Sequence, residues 1–284
     1  MQINFNGTLY PEDEPLFPAS SRVHRYGDGF FESIRVSSGH MLHFNHHMHR
    51  IRKSAMLLGI VLDSRFEEQR MEQEIQRTLQ AASLRHARVR LTVFREGKGF
   101  YLPTEEQACF LIEVSALDAP FYSFAAEGLL LGDYREMCKN SNFTSMLKTN
   151  AALLYVMASL HARRNGFHEC VLYNEQGRVA EAINANIFKV DGNKVITPPL
   201  SEYGVDGVMR MVVMDLARSY GYDVFEQPIT ANDLIASDEL FLTSAVSGIR
   251  WVGEYQGKRF RNHTAKMLHQ LLNKAIPGYP DGAS

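Results

Sequence analysis

Cysteine is scarce in this chain: Cys109, Cys138 and Cys170 are the only three in 284 residues, and no two approach a C-x-x-C spacing. An odd number so widely scattered excludes a disulfide framework and a cysteine-based metal site. Charge of one sign is not in excess either. Thirty Lys+Arg against 32 Asp+Glu leave a net charge of -2, without the broad cationic surface that a nucleic-acid binder needs. No apolar run reaches the roughly 18 residues of a membrane span. The opening, "MQINFNGTLYPEDEP", has no basic stretch leading into an apolar one. A cytoplasmic chain with no membrane or nucleic-acid partner is therefore expected. Without secretion, the sequons at Asn6 and Asn142 are chance matches.

What is present is a long, ordinary globular composition, 45% hydrophobic and 22% charged, with enough length for two domains. The pattern alternates between α and β. "MQINFNG" reads as a strand and turn, and "GFFESIRVSSGHMLHF" as a hairpin around Ser37-Ser38-Gly39. Met48, Ile51, Ala55 and Leu58 recur at helical spacing over 45–58, and a more polar helix covers 66–82. "ARVRLTVFRE" and "ACFLIEVSAL" are two strands that close a first α/β domain, residues 1–117. The aperiodic stretch over 118–127 reads as the linker. A larger α/β domain, 128–284, follows: a strand at "LLLGDYRE", the Lys148 region leading into a helix, and the hairpins "ECVLYNEQGRVAEA" and "NIFKVDGNKVIT". After these come a helix opening behind Gly207, strands at "YDVFEQPI", "ELFLTS" and "RWVGEYQGK", and a last helix over 263–275.

Several motifs invite chemistry. "HFNHHMHR" crowds His43, His46, His47 and His49, but no carboxylate or cysteine joins them and their spacing matches no known metal site, so no metal is expected. The G-x-G pairs in "YGDGFF" and "EGKGF" lack the third glycine of a dinucleotide fingerprint and read as turns. Ser145-Met146-Leu147-Lys148 spells S-x-x-K, yet the S-D-N and K-T-G elements that such a hydrolase also needs have no separate counterparts. Lys148 itself lies where turn-prone residues give way to "TNAALLYVMASL", a helix whose Ala- and Leu-rich first turn is expected to be buried. A partly desolvated lysine there could serve as a Schiff-base amine; as a solvated side chain it would do nothing. A lysine bound to pyridoxal phosphate also needs an anion for the pyridine nitrogen and a cradle for the phosphate.

Blocks across residues 26–252 answer that requirement, and together they resemble the fold-type IV pyridoxal-phosphate enzymes: branched-chain and D-amino-acid aminotransferases and aminodeoxychorismate lyase. "YGDGFFESIRV" resembles the opening motif of that family. "HMHRIRKSA" is similar to the helix whose arginine holds the cofactor phosphate, which implies Arg50. "LKTNAALL" resembles the block of the Schiff-base lysine, hence Lys148. "VAEAINANIFKV" is similar to the segment whose glutamate meets the pyridine nitrogen, hence Glu181, with Asn184 beside the cofactor. "DGVMRMVVMDLA" implies phosphate-binding amides at Val208 and Met209, and "ELFLTSAVSGIRWV" implies Ser244 and Ala245 in the same cradle. The resemblance implies a two-domain α/β (α+β) fold like that of D-amino-acid aminotransferase, a homodimer, pyridoxal 5'-phosphate as cofactor, and amino acids and 2-oxo acids as substrates.

Departures bear on the reaction. Family aminotransferases carry a threonine where Met209 stands and another where Ala245 stands; in both places this chain is more similar to the lyase branch. Leu153 occupies the place of a branched-chain-enzyme tyrosine, and Phe31 that of a D-amino-acid-enzyme tyrosine. The expectation is an aminotransferase, the alternative a pyruvate-releasing lyase on the same scaffold, and a third reading a degenerate binding module. Arg88 and Arg90 share one strand face and, with Phe31 and His24, are candidates for substrate binding; Arg25 and Arg35 are further possible carboxylate partners.

Overall fold

The computed structural model describes residues 2–280. Its chain forms two compact units, Met1–Pro120 with Lys148–Ala151, and Phe121–Leu147 with Ala152–Ser284.

The first unit is built on β1 (Gln2–Phe5), β2 (Thr8–Pro11), α1 (Arg22–Tyr26), β3 (Gly29–Ser37), β4 (His40–Met41), α2 (Phe44–Leu58), α3 (Glu68–Ala81), β5 (Ala87–Arg95) and β6 (Ala108–Ala116). The strands form one six-stranded sheet in the order β2-β1-β6-β5-β3-β4, antiparallel throughout. Alternation explains which face is covered. Phe30, Ile34 and Val36 of β3, with Val89, Leu91 and Val93 of β5, form a core with Met48 and Ile51 of α2 and Met71 and Ile75 of α3.

The second unit contains β7 (Leu129–Lys139), α4 (Leu153–Arg164), β8 (Glu169–Asn174), β9 (Val179–Ala182), β10 (Asn186–Asp191), β11 (Lys194–Thr197), α5 (Val208–Ser219), β12 (Asp223–Glu226), α6 (Ala231–Ala236), β13 (Glu239–Ser244), β14 (Gly248–Tyr255), β15 (Lys258–Arg259) and α7 (His263–Lys274). The sheet runs β12-β11-β10-β13-β14-β7-β8-β9, with β15 added to β14. The pairs β14–β7, β7–β8 and β11–β12 are parallel and the others antiparallel. The parallel pair β7–β8 is joined by α4, which packs Ala158 and Ala162 against Tyr134, Cys170 and Leu172.

Three elements carry too little periodicity to be read from the sequence: β2, the five-residue α1 and the six-residue α6. Two expectations around Lys148 are corrected. The helix begins at Leu153, not within "TNAA", and its first turn is not buried: Leu153 and Val156 are 65% and 52% exposed. The tetrapeptide Lys148–Ala151, expected with the C-terminal domain, groups with the first unit. A pair of backbone hydrogen bonds explains this, because Phe31 N–H donates to Lys148 O (2.9 Å) and Asn150 N–H to Gly29 O (3.0 Å).

Candidate active site

In the first unit, those two hydrogen bonds make Lys148–Asn150 a short extra rung on the edge of β3, bridging Phe30 to Thr149. A rung fixes the backbone from which the Lys148 side chain departs. Lys148 is half-buried, and its Nζ lies 4.7 Å from the centroid of the Phe31 ring. Arg90, on the neighbouring strand, places its guanidinium carbon 3.7 Å from the same ring and its Nε 3.7 Å from Glu113 Oε2. Two cations therefore share one aromatic face-former, as the quadrupole of a phenyl ring allows. Arg88 and His24 are exposed. Arg25 donates to Ala19 O and Arg35 to Ala119 O, bonds that hold loops.

Arg50 sits on the covered face of the same sheet. Its Nε donates to Glu32 Oε1 at 2.7 Å and its NH2 to Glu32 Oε2 at 2.5 Å, a two-pronged pair in which Glu32 is 1% exposed. His47 Nδ1 lies 2.6 Å from Glu32 Oε2. Burial alone would raise the Glu32 carboxyl, but the charge of Arg50 and the hydrogen bonds of His47 and Arg50 outweigh it and hold the group down at about 2. Burial pushes His47 the other way, below its ordinary value, against the pull of Glu32. A neutral imidazole facing a carboxylate must carry its proton on Nδ1. Its Nε2 is buried with no hydrogen-bond partner among the described residues.

The second unit holds a buried carboxylate of its own. Glu181, on the short strand β9, is 3% exposed; its Oε1 accepts from Lys139 Nζ (2.8 Å) and Tyr155 OH (2.7 Å), and its Oε2 from Val205 N–H (2.8 Å). With about four acceptor positions on a carboxylate, room is left for one further donor on Oε2. The Lys139 ammonium spends its three protons on Glu181 Oε1, Tyr155 OH (2.6 Å) and Ser145 O (2.7 Å). Burial, reinforced by Glu181, pushes the Tyr155 phenol well above its usual range, so it keeps the proton it donates.

A helix start suited to an anion lies elsewhere in this unit. α5 opens behind Gly207, which as N-cap has no side chain to offer its first turn, and Val208 and Met209 are buried. The unpaired N–H groups of that turn carry the positive end of the helix dipole. Gly207 is closely confined: a Cβ there would stand 1.9 Å from Asn186 Oδ1, so the asparagine side chain or the helix start would have to shift. Asn186 is itself pinned by its Nδ2 on Val205 O at 2.8 Å. Ser244 Oγ accepts from Ser247 N–H (3.2 Å), and Ala245 O from Tyr122 OH (3.0 Å). Asn184 is exposed, in the turn after β9, with its backbone N–H 3.4 Å from Glu169 Oε2.

Each unit by itself holds residues that suit pyridoxal phosphate: in the second, a helix start behind a confined glycine and a buried carboxylate with one acceptor position in reserve; in the first, a half-buried lysine whose backbone is held by the rung. The sequence did not single out Glu32, Lys139 or Tyr155, and it offered His47 only as one of a histidine cluster, not as the partner of Glu32. Glu32 had a signal, since it shares the parity of Phe30, Ile34 and Val36 and so points into the core. Lys139 had none: its partner is 42 residues away.

The chain is similar over its length to known proteins. A putative branched-chain-amino-acid aminotransferase of Methanocaldococcus jannaschii is 30% identical over 284 residues, covering 99% of this chain and 96% of its own. An aminodeoxychorismate lyase of Vibrio harveyi is 28% identical over 236 residues, covering 82% and 84%. The crystal structure of a branched-chain aminotransferase from Thermoproteus uzoniensis, solved with norvaline, superposes with a TM-score of 0.87 at 23% identity, over 99% of this chain and 96% of that one. Residues 29–255 match the family described as amino-transferase class IV, and the chain belongs to that family of fold-type IV enzymes.

Proposed function

We propose that the chain is a pyridoxal-phosphate-dependent aminotransferase that moves an amino group between an amino acid and a 2-oxo acid. The observation that carries this reading is Glu181: a buried carboxylate held by three donors, with one acceptor position left, is what a protonated pyridine nitrogen requires. Bound pyridoxal phosphate would supply the electron sink that makes a substrate Cα–H acidic. Lys148 is the amine that anchors the cofactor and the base that moves the Cα proton. Arg50, its guanidinium plane fixed by Glu32, and the first-turn amides of α5 at Val208 and Met209 bind the phosphate. Ser244, Ala245 and Asn184 complete the cofactor's surroundings. Arg90 and Phe31 meet the substrate, with Arg88 and His24 further out. A homodimer is the working form.

Family homologues bind pyridoxal phosphate, which supports the cofactor. A second reading, pyruvate-releasing cleavage of aminodeoxychorismate, is favoured by Met209 and Ala245, where the threonine hydroxyls of family aminotransferases are missing. The test is a pair of measurements. Reduction of the reconstituted protein with borohydride, followed by peptide mapping, should place the cofactor on Lys148, and Lys148→Ala should abolish the adduct. Incubation with aminodeoxychorismate and no 2-oxo acid should leave pyruvate absent, while amino acid plus 2-oxo acid should give exchange. No adduct sinks the cofactor reading, and pyruvate without an acceptor replaces transferase with lyase.

A further inference from the structure

Beside the start of α5 lies a hydroxyl with nothing to bond. Thr243, on β13, is 1% exposed, and its Oγ1 has no hydrogen-bond partner among the described residues. Leaving a buried hydroxyl unpaired is unfavourable, and such groups in folded proteins call for a reason.

Register says where this hydroxyl is aimed. Thr243 stands directly opposite Asn186 in the antiparallel pair β10–β13, and Phe241 opposite Phe188. Opposed residues share a sheet face. The ring stack of Phe188 on Phe241, 5.0 Å between centroids, shows that face. Ile187, Leu240 and Leu242, of the other parity, belong to the core cluster on the opposite side. Asn186 extends from the same face as Thr243 and reaches Val205 O and the position a Gly207 Cβ would take. Thr243 is therefore one strand over from Asn186, on the face against which α5 begins. Two observations that do not depend on each other meet there: uncapped N–H groups at the head of a 12-residue helix, and a buried, unpartnered hydroxyl donor.

We propose that Thr243 Oγ1–H is a phosphate-binding donor, supplying to the cofactor's phosphate the hydroxyl that Met209 and Ala245 cannot. The inference rests on the pyridoxal-phosphate reading above and adds to it a residue assigned from register and burial. An O–H donor to a dianion is charge-assisted, so its loss is felt. Glu181 and Lys148 have no part in it, because it concerns the phosphate alone.

The test separates phosphate from ring. The apoprotein is titrated with pyridoxal phosphate and with pyridoxal, which lacks the phosphate, by equilibrium dialysis, for wild type, Thr243→Val and Thr243→Ser. Thr243→Val should weaken pyridoxal phosphate by about tenfold or more and leave pyridoxal unchanged, while Thr243→Ser, which keeps the hydroxyl, retains the wild-type preference. Thermal unfolding of each apoprotein in inorganic phosphate gives a readout free of the ring: the stabilisation by phosphate should shrink in Thr243→Val only. If Thr243→Val binds pyridoxal phosphate as wild type does, or loses both compounds equally, the assignment of Thr243 is overturned while the cofactor reading stands. If wild type binds neither compound, both fall together. If Thr243→Val does not fold, the serine variant and Thr243→Ala decide the matter by the same ratio.

Discussion

Lys139 Nζ and Glu181 Oε1 lie 2.8 Å apart with both side chains almost wholly buried, 3% and 4% exposed. A charge in that position is tolerated because its partner is present. Replacing Lys139 by Met should cost about 3–5 kcal/mol, the range for breaking a buried pair, whereas Lys139→Met with Glu181→Gln should recover much of it, since no unpaired charge is left. Urea denaturation of the apoproteins measures both. Equal losses in the single and the double variant would mean that Lys139 contributes packing and not charge. The same pair separates the lysines chemically: with three acceptors on its ammonium, Lys139 is unavailable as a nucleophile, so borohydride trapping should label Lys148 alone.

The Glu32–His47–Arg50 cluster makes the first unit acid-sensitive, and the sign follows from the two titrating groups. Glu32 is held at about 2 against an ordinary 4.5, so its contribution is complete above pH 4.5 and is lost as pH falls toward 2. A shift of that size is worth on the order of 3 kcal/mol. His47 is also depressed, from 6.5, so its contribution too is present above 6.5 and declines as pH falls below it. His43, lowered to about 4 mainly by burial, acts in the same sense. Unfolding free energy should therefore fall between pH 7 and pH 4. In His47→Gln the slope between pH 7 and 5 should flatten; an unchanged slope would assign that loss to other groups.

Much of this could be read in advance, for a physical reason. The strands are legible as apolar runs, alternating at the start of β5 and buried on both faces in β8 and β13, so their burial is written in local order, and Gly207 before an apolar stretch marks the start of α5. α6 is too short to show periodicity, but its start carries a local signature: Thr230 and Asp233 form a capping box three residues apart. What could not be read is long-range. The rung between β3 and Lys148–Asn150 has no periodicity of its own and joins residues more than a hundred positions apart. Tyr155 looks like one more apolar helix residue until its hydroxyl is seen on Glu181. A buried charge is legible only when its partner is close in sequence.

Gly207 offers a steric prediction. Alanine there places a Cβ 1.9 Å from Asn186 Oδ1, and Asn186 is anchored to Val205 O. Either the asparagine or the start of α5 must move, at a cost of about 1–3 kcal/mol. Gly207→Ala should lower the apoprotein's melting temperature and weaken binding of pyridoxal phosphate more than of pyridoxal. Adding Asn186→Ala, which removes the obstructing oxygen, should restore stability in part. If the double variant is no better than the single one, the Asn186 oxygen is not the obstacle, and the contact that remains, Arg210 Cβ at 3.3 Å from the new Cβ, is limiting.

Arg90 and Arg88 allow the last prediction, because the two share a strand face and differ in surroundings. Arg90 packs its guanidinium on Phe31, whose ring also lies near the Lys148 ammonium, while Arg88 is exposed. Glu113, at 3.7 Å, is too far from Arg90 Nε for a tight pair, so the guanidinium can still turn a donor edge toward a carboxylate. If Arg90 binds the substrate carboxylate, Arg90→Met should raise KM for the amino acid and the 2-oxo acid alike, by about tenfold, with a smaller effect on kcat. Arg88→Met should leave both constants as they are. Phe31→Leu, which removes the ring beneath Arg90, should raise KM in the same direction by less, since the cation remains but is no longer held in place. Equal KM effects at Arg88 and Arg90 would point to general attraction of anions by surface charge, and raising the salt concentration would then abolish both.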